Sequence, residues 1–144
     1  MAERIRKVSA GDLASGASTA GMVRSQAFAT DHVWFGEVRT GPGVVSGRHH
    51  HGEYAIYGRV VSGRIPFEFG PGGGESVEAG PGDFFTVPPH VVHREGNPGS
   101  EEQVLIAVRI GAGPTVTHVD EPDPRSVGRG QEPRLASGTT ARPG

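Results

Sequence analysis

Between Val33 and Val119 the chain runs as short β-prone stretches broken by glycine and proline, and that punctuation constrains the fold more than any other feature. VWFGEVR (Val33 to Arg39) and AIYGRVV (Ala55 to Val61) are rich in β-branched and aromatic residues, which suit a pleated, half-buried surface. In RIPFEF, Ile65, Phe67 and Phe69 alternate with Arg64, Pro66 and Glu68, the period-two pattern of a strand with one buried face. After the loop GPGGGE come ESVEAG, DFFTVP, HVVHRE, EEQVLIAVRI and TVTHVD, and no stretch reads as a convincing helix. Many short strands separated by Gly/Pro turns predict an all-β, antiparallel sandwich or barrel.

The 144 residues suit one domain. Its barrel is expected over 17–120, after a flexible N-terminal segment at 1–16. Residues 121–144 contain almost no large apolar side chain and are expected to form a disordered tail. A net charge of −2 gives no electrostatic reason to expect nucleic acid or an acidic membrane surface as partner. Without cysteine, thiolate ligands, disulfides and a Cys nucleophile are excluded. No apolar run has the length of a signal peptide core or a membrane span, so a cytoplasmic location is the expectation.

The chemistry concentrates in RHHHGEYAIYG. On a strand, residues i and i+2 share a face, so His49 and His51 point one way and His50 the other. Two imidazoles on one face can chelate one ion, and His93 in VPPHVVHREGN can supply a third ligand from another strand. Neutral imidazole suits Fe, Mn, Ni, Cu and Zn alike.

The spacing around these histidines resembles the cupin family in both of its characteristic motifs and in their order. Gly43 stands six residues before His49-x-His51, and the β run that follows ends at Gly63; later come Gly82, Pro88, His93 and Asn97. The resemblance spans roughly Val33 to Val119. It implies a single-domain antiparallel jelly-roll β-barrel with a metal site in its open end, and it places His49, His51 and His93 on the family's three histidine ligands. It also implies pairing through sheet edges, hence a homodimer.

Two departures stand out. The family's glutamate ligand falls at Ala55 or Ile56, and neither can coordinate. The expectation is a three-histidine centre with an open face, or one in which Glu53 swings in as a substitute. Glu95, two residues beyond His93, could face inward too, but is expected in a salt bridge at the rim. His90 takes the slot of a family glycine, where histidine is among the residues that tolerate positive φ.

If Ala55 lines the cavity, alternation sends Tyr57 and Arg59 inward too, where the Arg59 guanidinium suits an anion. The expected function is a mononuclear, Fe-type dioxygenase acting on a small anionic or carbonyl substrate that Arg59 and Tyr57 orient. Alternatives are a non-catalytic metal- or ligand-binding module and an isomerase or sugar-processing cupin.

Overall fold

The computed structural model describes residues 3–120; the tail assigned to 121–144 lies outside them. Eleven strands form two antiparallel sheets. The larger has the order β1-β2-β3-β10-β5-β8, built from Ala14–Thr19, Met22–Ala29, Val33–Thr40, Gln103–Ile110, Ala55–Ser62 and Phe84–Val87. The smaller has the order β11-β4-β9-β6-β7, built from Thr117–His118, His49–His50, His93–Glu95, Ile65–Phe69 and Glu75–Ala79. This is the jelly-roll barrel the sequence predicts. It also contains β1 and β2, which precede the first strand read from sequence. Among the described residues no helix is long and apolar enough to cross a membrane.

The two sheets enclose a core of Val60, Ile65, Phe67, Ala79, Val87 and Leu105, with Val38, Ile56, Phe69 and Phe85 packed against it. Val60 is fully buried, and it fixes the phase of β5: Ile56, Gly58 and Val60 face the core, while Ala55, Tyr57 and Arg59 face away.

Strand register also shapes the interior. Across β2 and β3, Arg24 pairs with Val38 and Gln26 with Gly36. Across β10 and β3, Leu105 pairs with Val38, Ala107 with Gly36 and Arg109 with Trp34. In that middle row Gly36 and Ala107 have almost no side-chain height beside Gln26, and a Cβ on Gly36 would lie 2.8 Å from the Trp34 ring. A low floor between taller rows leaves a cavity of about 330 Å³ between the sheets.

Candidate metal centre

His49 and His93 are direct partners in the β4–β9 register, which sets their rings side by side with centroids 4.3 Å apart. The His51 ring lies 5.0 Å from that of His49 and 5.2 Å from that of His93. Each imidazole is steered through its Nδ1. His49 Nδ1 donates to the Gly47 carbonyl, His51 Nδ1 to that of Thr115 and His93 Nδ1 to that of Val91, all at 2.9 Å. A carbonyl only accepts, so in the neutral ring the proton sits on Nδ1 and the lone pair on Nε2. Such a bond on the far nitrogen orients a metal-ligating histidine and raises its basicity.

A fourth donor comes from the same strand as His93. Glu95 lies two residues on, and its carboxylate Oε1 stands 3.6 Å from His49 Nε2 and 3.7 Å from His93 Nε2. These are ion-pair separations, beyond hydrogen-bond reach. One ligand atom from each of His49, His51, His93 and Glu95 lies within 4.8 Å of all the others. His93 Nε2 is buried and makes no hydrogen bond among the described residues. Imidazole lone pairs, a carboxylate and a buried nitrogen without a donor form a set that fits one divalent transition-metal ion.

Electrostatics bind the four into one unit. Burial would raise the Glu95 carboxyl, but the facing His49 and His93 imidazoles override it and hold Glu95 well below the usual carboxylate range. Burial lowers His51 to about 4, with His49 and His93 adding to the effect. Burial acts on His93 in the same direction, yet contact with Glu95 wins and its pKa is raised.

The other residues singled out from sequence lie elsewhere. His50 turns away from the cluster, as alternation requires, and its Nδ1 accepts a hydrogen bond from the Gly52 amide at 2.9 Å. Glu53 does not reach the cluster; its carboxylate meets His90 Nε2 at 2.9 Å on the surface. The cause is the turn after His51, where Tyr54 N–H bonds the His51 carbonyl and Gly52 has φ 57°, so strand alternation stops before Glu53. His90 has φ 63°, as its place in the second motif predicts.

Tyr57 and Arg59 are exposed on the outer face of β5, with the Arg59 guanidinium 5.7 Å over the Phe84 ring. Their inward placement is corrected by the phase that Val60 and Ile56 impose. Of the two candidate positions for the family glutamate, Ile56 therefore faces in, and it is apolar. The carboxylate enters from β9 instead, through Glu95. Asn97 of the second motif clasps its own loop, donating to the Thr40 and Glu101 carbonyls.

Sequence reasoning also passed over Arg24 and Arg109, which line the cavity beside His51, His93 and Glu95. Arg109 lies 5.4 Å over the Trp34 ring and 5.5 Å over that of Tyr54. Burial lowers the pKa of both arginines.

A two-sheet jelly roll with a His/His/His/Glu cluster that could hold a metal ion, beside an internal cavity, is a cupin architecture. The sequence profile of the cupin domain matches residues 36–109, and the chain belongs to that family. No curated protein matches the chain by sequence. In structure it is similar to KdgF from Halomonas sp., with 22% identity over 73% of this chain and 94% of that one and a TM-score of 0.61. It is similar also to the polyketide cyclase RemF from Streptomyces resistomycificus, with 18% identity, coverage of 81% and 84%, and a TM-score of 0.63. A third likeness is to a cupin-superfamily sugar phosphate isomerase from Silicibacter pomeroyi, with 17% identity, coverage of 73% and 75%, and a TM-score of 0.60. At these identities the likeness is one of fold.

Proposed function

We propose that this cupin is a mononuclear metal enzyme that acts on a small organic anion, with oxygen as co-substrate. The observation that supports this is the convergence of His49, His51, His93 and Glu95, the last three lining a cavity with room for a ligand. An Fe-type ion held by these four would supply Lewis acidity and redox chemistry, with positions left open for substrate in a six-coordinate centre.

The chain's own residues do the rest. The Nδ1 bonds to the Gly47, Thr115 and Val91 carbonyls hold the three rings in their ligating tautomer. Glu95 stays anionic and offsets part of the ion's charge. Ile56, Phe85 and Leu105 give the cavity apolar walls that limit water around the reacting group.

The test is metal analysis of freshly purified protein, followed by oxygen uptake over a panel of carboxylic acids and diketones. Stoichiometric iron and substrate-dependent uptake are expected. Absence of bound metal would overturn the reading.

A second reading keeps the metal and drops oxygen: Lewis-acid isomerisation or cyclisation, as the names of the Silicibacter and Streptomyces relatives suggest. It predicts turnover without oxygen uptake, with a redox-silent ion supporting full activity.

A further inference from the structure

We infer that Arg24 and Arg109 form a carboxylate clamp facing the metal centre, so that the substrate is a small 2-oxo or 2-hydroxy acid. Its carboxylate lies on the arginines and its second oxygen turns toward His49, His51, His93 and Glu95. The inference deepens the metal-enzyme reading and rests on it.

The two arginines approach from strands on either side of β3. Arg24 stands in the Val38 row and Arg109 in the Trp34 row, with Gln26, Gly36 and Ala107 forming the row between them. Gly36 and Ala107 take up little of the space between them, and both arginines line the cavity that His51, His93 and Glu95 also line. The charges act on one another: beyond the effect of burial, Glu95 raises the Arg24 pKa and Arg109 lowers it.

Arg109 is the more telling of the two. Its guanidinium lies near both the Trp34 and the Tyr54 rings. Its Nε is buried and makes no hydrogen bond among the described residues. The side chain is half-buried, its cation is partnered by the two rings, and none of the described ion pairs includes it, so no anion among the described residues offsets its charge directly. Contact with the two rings leaves guanidinium N–H groups that can still donate, and their planar fork matches the two oxygens of a carboxylate.

Charge and size agree. Two guanidinium groups face one carboxylate among the lining residues, and a divalent ion bound to Glu95 makes the excess of positive charge larger. A volume of about 330 Å³ lies at the small end of ligand sites.

The competing account makes Arg24 a counterion for Glu95 with no ligand in view. That role would move metal affinity and leave anion affinity unchanged.

Trp34 is the chain's only tryptophan, so its fluorescence reports on this cavity. The full chain, metal-free and nickel-loaded, is titrated with pyruvate, with acetone as the analogue lacking a carboxylate, and with inorganic phosphate. Calorimetry repeats each titration. Pyruvate is expected to bind the metal-free protein and to bind more tightly with nickel, while acetone does not bind the metal-free form. Arg109→Gln and Arg24→Gln should each weaken pyruvate at least tenfold, as the loss of a charge-assisted hydrogen bond implies, with nickel affinity unchanged. Arg109→Lys should recover only part of the loss.

Unaltered pyruvate affinity in both glutamine variants overturns the clamp, as does tighter binding of phosphate than of pyruvate. Stoichiometric nickel together with arginine-independent pyruvate binding sinks the clamp and spares the metal enzyme. Arginine-dependent pyruvate binding in a protein that takes up no nickel does the reverse.

Discussion

Replacing Glu95 by glutamine removes the negative charge that faces His49 and His93 while keeping the side chain's shape. In the metal-free protein the first consequence falls on His93. Burial alone would lower its pKa, and only contact with Glu95 raises it. Two unit charges separated by the 3.7 Å between His93 Nε2 and Glu95 Oε1 attract by about 4 kcal/mol at an effective dielectric of about 20. That attraction favours the protonated imidazole and opposes the effect of burial. His51 shows where an imidazole on this wall goes when burial prevails: to about 4.

His93 in Glu95→Gln should therefore titrate below the ordinary histidine range, where in wild type it titrates above it. The sign for stability follows. In metal-free wild type, protonated His93 stabilises the fold below the unfolded-state value near 6.5, and that contribution is lost as pH rises through the raised native value. The variant should lack this gain at mildly acid pH. Long-range ¹⁵N–¹H spectra of the imidazoles across pH read the titration, and melting temperatures on either side of pH 6.5 read the stability. A His93 titration that does not move would refute the assignment of Glu95 as its partner. With metal present, the same variant should bind the ion at least tenfold more weakly.

Other perturbations test the geometry from different sides. His49→Ala, His51→Ala and His93→Ala should each lower metal stoichiometry sharply in elemental analysis, and His50→Ala should leave it intact; equal loss from His50→Ala would contradict the facing of the rings. Ala55→Glu and Glu53→Gln should leave metal affinity unchanged in titrations, because Ala55 faces outward and Glu53 meets His90 on the surface. A tighter ion in Ala55→Glu would move the missing family carboxylate back to that position. A methyl group added by Gly58→Ala would come within 2.3 Å of the Phe85 ring, so that variant should lose about 1–3 kcal/mol in denaturant unfolding. An unchanged midpoint would mean that Phe85 yields without cost.

Much of this architecture is legible in the sequence because its strands carry β-branched and aromatic residues between Gly/Pro breaks, and because His49-x-His51 and His93 sit at fixed places in two motifs. β1 and β2 escape notice for a physical reason. The inward residues of β2 include Arg24 and Gln26, so its cavity face reads as polar and the apolar half of the period-two signal is missing. On β10 the difficulty is the opposite one. Val104, Ile106, Val108 and Ile110 are at least as apolar as Gln103, Leu105, Ala107 and Arg109, yet the second set faces the cavity. In β5, assuming that Ala55 lines the cavity fixes the wrong phase, and the error carries Tyr57 and Arg59 with it.

Glu95 differs from these, because its signal was present. It stands at the same i, i+2 spacing from His93 that joins His49 to His51, so the rule that pairs two ligands on one strand points equally to the carboxylate on the other. The family's usual position for that ligand drew attention to Ala55, Ile56 and Glu53 instead. Ile56 now packs among Val38, Phe85 and the core, where a carboxylate would be buried against apolar neighbours. On β9 the anion is buried as well, but it lies opposite two imidazoles that stabilise its charge. There the carboxylate also lines the cavity that Arg24 and Arg109 line, so its position bears on both the donor set and the field an entering ligand meets.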